Sequence, residues 1–297
     1  MFINGFTQDC KARGLTHHTI QTYKSCCTDF LERYPDPTVV RLDELRSYLG
    51  ELRARGLQGS TLKGYFAALS SLYDYLVFEG IYDSNPIPGF NKRYLCRLKF
   101  QSGEENTRQL ISIQDVSLLI SNAGSIIDIA LILFLAKTGM RRKELLSIQV
   151  SDLDFKNDII RIPKTAKRSN RISFIDNELK SILEEYLSWR LEFAKSPWLW
   201  ITSAGGRIHK DYPNEVLADL GAAIGLHTPG GPLADRLTCH CLRHFFTTSL
   251  FRAGMNPEYL KWLRGDSLRK EAWEIYNHID PEMVRVDYIS RIPKLLN

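Results

Sequence analysis

Residues 239–248 read Cys239-His240-Cys241-Leu242-Arg243-His244-Phe245-Phe246-Thr247-Thr248. The pattern predicts a helix over 241–253 and sets His240 and Arg243 among apolar neighbours that can hold a long side chain from its base. Two other cations are placed in a comparable way. Arg141 follows Thr138-Gly139-Met140 at the end of an apolar helix predicted over 126–137, and Lys164 sits at the tip of a predicted hairpin in Ile162-Pro163-Lys164-Thr165-Ala166-Lys167-Arg168. Cations held in this way suit a phosphoryl group, whose oxygens gain charge toward the transition state. Arginine serves best because its planar fork bonds two oxygens at once. Taken alone, each has an ordinary explanation: a helix-end charge interaction for Arg141, a solvated hairpin for Lys164, Lys167, Arg168 and Arg171, a packed ring for His240. Their order and context together carry the functional reading.

Composition narrows the field without choosing a function. The chain has 297 residues, 44% hydrophobic and 25% charged, ordinary values that exclude wholesale disorder and a fibrous repeat. At ~100–200 residues per domain the length suggests two domains or one large one. The longest apolar run, Ile129–Ala136, is far below the ~20 residues that cross a bilayer, so no membrane partner is expected. Polar and acidic residues in Met1–Gly14 stand where a secretory signal needs a continuous apolar stretch. Six cysteines are too few for a disulfide scaffold, and the expected compartment is the reducing cytoplasm. A net charge of +5 permits nucleic acid as a partner without demanding it.

Hydrophobic spacing predicts a mainly α fold with a small β-hairpin in the second of two domains. Residues 1–90 read as a helical unit. Thr16 caps a helix bearing Ile20, Tyr23, Cys27, Phe30 and Leu31. Leu45, Tyr48, Leu49 and Leu52 mark a second helix, ending near Gly56. Gly59-Ser60 supplies the next turn and cap, and Leu62, Tyr65, Leu69, Leu72 and Leu76 mark a third helix, ending at Gly80. Asn85-Pro86-Ile87-Pro88-Gly89 breaks the pattern. Residues 91–108, with Lys92 and Arg93, lack periodicity and read as an interdomain linker; a basic linker suits a phosphate backbone and equally a solvated tether. Residues 109–297 form the second domain. Helices are predicted over 115–121, 126–137, 178–193, 214–224, 241–253 and 257–263, and a hairpin pairs 159–162 with 171–175.

No phosphate-binding Gly-x-x-x-x-Gly-Lys-Ser/Thr, dinucleotide fingerprint or His-Glu-x-x-His occurs. Cys239-His240-Cys241 invites a zinc reading. Adjacent residues rarely all face one ion, however, and no Cys-x-x-Cys accompanies them, so no metal is assigned.

With these residues in view, the chain resembles the tyrosine recombinase (phage integrase) family of site-specific DNA recombinases. Thr138-Gly139-Met140-Arg141-Arg142-Lys143-Glu144-Leu145 resembles the box that carries the family's first catalytic arginine. His240-Cys241-Leu242-Arg243-His244 is similar to its His-x-x-Arg-His box, and Ile275-Tyr276-Asn277-His278 lies where the family keeps its nucleophilic tyrosine. Lys164 resembles the family's hairpin lysine, and the Thr19…Tyr23…Phe30-Leu31 and Ser60-Thr61…Leu69…Tyr73 pattern resembles its core-binding domain. One departure stands out. The family usually has Leu-Gly-His, or Trp for the His, before the tyrosine, whereas this chain reads Leu263-Arg264-Gly265-Asp266. A carboxylate beside a scissile phosphate is unfavourable unless it is paired or faces away. In this setting Asp266 would orient His240 or Arg264, or accept from Tyr276, and His278 or His244 would supply the missing donor.

The resemblance implies a two-domain clamp on double-stranded DNA and a homotetramer on that DNA. Tyr276 would attack the scissile phosphodiester and leave a 3′-phosphotyrosyl bond that stores the energy for rejoining. Arg141 and Arg243 would hold the non-bridging oxygens, His240 would move the phenolic proton, Lys164 would protonate the leaving 5′ oxygen, and Glu144 would buttress Arg141. Neither a metal nor a nucleotide cofactor is implied. The expected function is an integrase of a mobile element. The alternatives are a catalytically weak or inactive DNA-binding relative, to which Asp266 lends support, a housekeeping recombinase that resolves chromosome dimers, and a related topoisomerase. The tail, with Val284, Val286, Ile289, Ile292, Leu295 and Leu296, is expected to pack at home or to dock on a neighbouring subunit.

Overall fold

The structure, a computed structural model, describes residues 2–96, 108–163, 172–266 and 279–296. The chain divides into two compact units, residues 1–105 and 106–297.

In the first unit the described residues are helical wherever they are regular, as the spacing predicts. Helix α1 (Phe2–Ala12) is followed by α2 (His17–Arg33), α3 (Leu42–Ala54) and α4 (Gly59–Phe78). Thr16 caps α2 by accepting from the Thr19 backbone N–H at 3.3 Å. Phe30, Leu49, Leu52, Leu69, Leu72 and Leu76 are fully or almost fully buried along the predicted stripes. Three details differ from the sequence reading. First, α1 was not anticipated, because only Phe6 and Cys10, one helical turn apart, are buried on it. Second, α4 begins one residue after Gln58, so Gly59 and Ser60 lie inside the helix and do not cap it. Third, the breaker cluster opens a short helix, α5 (Ile87–Phe90), which runs on through a π turn at Asn91–Leu95. Phe90 stacks on Phe66 with centroids 5.1 Å apart, and Leu95 is buried, so these residues belong to the first hydrophobic core. Lys92 and Arg93 are exposed on the same segment.

The second unit is built around α7 (Ile126–Thr138), whose residues from Ala130 to Thr138 are all buried. A helix apolar on every side must be covered on every side. The covering elements are α6 (Ile113–Ser121), α9 (Asn177–Phe193) and α11 (Cys239–Arg252). A short α8 (Arg142–Leu146) follows α7, and α10 (Tyr212–Ala223), α12 (Pro257–Arg264) and α13 (Pro281–Arg291) complete the helices. The predicted hairpin is present as β2 (Ile159–Arg161) against β3 (Ile172–Phe174), antiparallel with Ile160 opposite Ser173. A third strand, β1 (Leu153–Asp154), adds to the edge of β2. The connection from β2 to β3 carries Lys164, Lys167, Arg168 and Arg171, which lie outside the described residues.

Lys137 has a fully buried side chain. Its ammonium donates to Asp176 at 2.6 Å, to Glu178, and to the Pro293 carbonyl at 2.7 Å. Glu178 in turn accepts from the backbone N–H groups of Leu295 and Leu296 at 3.0 and 2.9 Å. Leu295 is buried and its carbonyl accepts from Ser117. The tail is thus packed on its own unit in the single chain. No helix is long and apolar enough to cross a membrane among the described residues.

Candidate active site

The end of α7 turns sharply because Gly139 takes a left-handed conformation, φ +58°. A Cβ at this position would collide with the Phe246 ring, so the turn and the close approach of α11 both require glycine. The turn delivers Arg141 to the start of α8. Glu144, almost wholly buried, accepts from the Arg141 backbone N–H at 2.9 Å and from its Nη1 at 3.0 Å. The expected buttress is therefore present, and it doubles as the acidic cap of α8.

Arg243 rises from α11 into the same space. Its side chain is almost completely buried. Nη1 donates to the Gly139 carbonyl at 2.6 Å, and Nη2 donates to the Arg264 carbonyl at 2.9 Å. Burial, with the charges of Arg141 and Arg264, lowers its pKa to about 10; it stays charged at neutral pH.

Arg141, His240 and Arg243 line one open cleft of about 370 Å³, and Arg108, Arg142 and Lys143 line it too. Arg142 is paired with Asp211 at 2.8 Å. Desolvation, followed by the charges of Arg108, His244, Arg243 and Arg141, pushes the His240 pKa down to about 4. The ring is therefore neutral at neutral pH and able to accept a proton. His244 lies one turn on, its ring 5.2 Å away and edge-on, and its pKa is lowered by desolvation and then by the charges of Arg108, Arg264 and Arg243. Cys239 and Cys241 flank His240 and are buried, and among the described residues no His, Cys, Asp and Glu side chains gather as a metal site.

Asp266 follows α12, where Gly265 in the left-handed conformation, φ +61°, ends the helix. One oxygen, Oδ1, accepts from Arg141 Nη2 and from Arg243 Nη2, both at 3.1 Å. The other, Oδ2, lies 3.1 Å from Arg264 Nε. Of the roles raised from sequence, contact with Arg264 is realised; the link to both Arg141 and Arg243 was not foreseen. Tyr276 lies outside the described residues. The sequence reading also missed Arg108, which it placed in the linker, and Asn214, which accepts from the Cys239 N–H at 3.1 Å and secures the start of α11. Neither carries a local signal, since each reaches the site only through packing.

Comparisons with known proteins identify the family and the fold. Residues 104–283 match the model of the phage integrase family, and residues 3–80 match that of the phage integrase N-terminal SAM-like domain. The chain is 26% identical to tyrosine recombinase XerC of Bacillus licheniformis, over 95% of this chain and 92% of that protein. It is 25% identical to tyrosine recombinase XerA of Saccharolobus solfataricus, over 97% and 91%. The fold resembles that of the Tn1549 transposon integrase in complex with transposon right end DNA, with TM-score 0.72, 20% identity and coverage of 96% and 98%. It also resembles a lambda integrase dimer bound to a core site, with TM-score 0.70, 14% identity and coverage of 94% and 98%. With a family match across most of its length and the two arginine boxes joined in one cleft, the chain belongs to the phage integrase family, the tyrosine recombinases.

Proposed function

We propose that the protein cuts and rejoins double-stranded DNA at a specific site, with Tyr276 as nucleophile and a 3′-phosphotyrosyl intermediate. The observation that carries the reading is the meeting of Arg141, His240 and Arg243, from two distant stretches of chain, in one cleft. Arg141 and Arg243 hold the non-bridging oxygens and stabilise the charge that builds on them. Neutral His240 takes the phenolic proton of Tyr276, whose ordinary pKa near 10 requires such help at neutral pH. Lys164 protonates the departing 5′ oxygen. Lys167, Arg168, Arg171, Lys92 and Arg93 add phosphate contacts. Strand exchange between two duplexes needs four such sites, so the working form is a homotetramer on DNA, in the cytoplasm.

The proposed setting is a mobile element, a reading supported by the departure at Asp266. The chromosome-dimer-resolving alternative takes its support from the XerC and XerA relatives. An attachment repeat in the DNA flanking the gene would decide for the first.

The chemistry is tested with a duplex nicked beside the cleavage site, which traps the covalent adduct. The expected result is an adduct that disappears in Tyr276→Phe while duplex binding persists. Binding without an adduct under any condition would instead identify an inactive DNA-binding relative.

A further inference from the structure

Asp266 places an acceptor where the family usually keeps a donor, and it is gripped by the two guanidiniums assigned to the phosphate. Two roles are open to a carboxylate in that position. It can compete with the substrate, or it can set the clamp that receives it. The donors decide between them. Oδ1 takes one hydrogen from Nη2 of each arginine. Among the described residues, Arg141 otherwise spends Nη1 of its guanidinium on Glu144, and Arg243 spends donors on the Gly139 and Arg264 carbonyls. A guanidinium has five N–H groups. Both side chains therefore keep Nε and a further Nη hydrogen for a second anion while Asp266 stays bound.

We propose that Asp266 is a positioning residue for the recombination chemistry, one that bridges Arg141 to Arg243 and holds the two guanidiniums at phosphate-binding spacing. The inference rests on the functional reading above. It has a definite asymmetry. Arg243 is buried and tied to two backbone carbonyls, so it keeps its place without the bridge. Arg141 is about one-third exposed and, among the described residues, is otherwise held by Glu144. Two cations this close repel unless an anion lies between them, and Arg264 adds a third cation on the far oxygen. Loss of the carboxylate should therefore release Arg141 and leave Arg243 fixed.

The test compares Asp266→Asn, Asp266→His and the unaltered full chain in two measurements. Side-chain 15N spectra of the DNA-free protein read guanidinium order; Arg141 is expected to loosen in both variants and Arg243 to stay unchanged. Single-turnover adduct formation on the nicked duplex, at saturating DNA, is expected to fall about 10-fold in Asp266→Asn and about 100-fold in Asp266→His, although the latter restores the family's usual residue. Duplex affinity should stay equal or tighten, because a negative charge is lost; a folding defect would weaken both. An Asp266→His variant that cleaves as fast as the parent, or an Arg141 signal indifferent to either substitution, overturns the inference. If the unaltered chain forms no adduct while Arg141 still loosens in the variants, the functional reading fails and the bridge stands.

Discussion

Arg243 Nη1 donates to the carbonyl oxygen of Gly139 at 2.6 Å, across 104 residues of sequence. The bond joins the two arginine boxes directly. The left-handed turn at Gly139 presents that carbonyl, and the same turn throws the chain toward Arg141. One glycine thus seats the second arginine while steering the first.

Gly139→Ala should damage stability and activity together. The left-handed backbone costs an alanine ~1–2 kcal/mol. The new methyl group would also press on Phe246, and overpacking adds ~1–3 kcal/mol. Chemical denaturation should show a loss of at least ~2 kcal/mol, and adduct formation should fall even at temperatures where the variant remains folded.

Arg141→Lys keeps the charge and removes the fork. A lysine cannot reach Glu144, Asp266 and a phosphate oxygen in fixed geometry. Single-turnover cleavage should drop on the order of 100-fold, with duplex affinity nearly unchanged. A rate within threefold of the parent would show that charge alone suffices at this position.

The His240 ring should titrate near pH 4 in the DNA-free protein, well below the ordinary 6.5. Its proton-accepting form then dominates throughout the physiological range, so cleavage between about pH 5.5 and 8 should show no inflection from this residue. The sign for stability follows. An unfolded chain protonates this histidine below about 6.5, and the folded one does so only near 4. Its contribution is therefore complete above 6.5 and is lost as the pH falls between the two values. Following the ring proton by NMR gives the midpoint, which should rise when phosphate occupies the cleft.

Lys137→Met should be strongly destabilising, because it strands Asp176 and Glu178 without their cation; breaking a buried pair costs ~3–5 kcal/mol. Burial works against ionisation of Glu178, but Lys137 and the N–H groups of Leu296 and Leu295 outweigh it and hold its pKa below the ordinary value. This contribution is present above the ordinary carboxylate range and disappears as the pH falls through the lowered value. Denaturation at pH 7 and at pH 3 should therefore show a smaller penalty for the variant in acid, together with faster proteolysis of the tail at neutral pH.

Much of the molecule was readable one stretch at a time. The helices of the first unit announced themselves by apolar spacing, since Phe30, Leu49 and Leu69 lie on faces that a 3.6-residue period defines locally. The arginine boxes were readable because each packs its cation, its turn glycine or its buttress within a few residues, as Gly139, Arg141 and Glu144 do. Helix α1 escaped notice because two buried side chains make too thin a stripe to register.

Local order along the chain determined the helical class and singled out the two arginine boxes, because spacing and side-chain chemistry are properties of neighbouring residues. Tertiary packing alone decided that Asp266 bridges Arg141 to Arg243, that Arg108 joins His240 in one cleft, and that burial and nearby cations lower the histidine's pKa. Those outcomes depend on distances between remote parts of the polypeptide and on how much water reaches each charge. Neither quantity exists until the chain has folded.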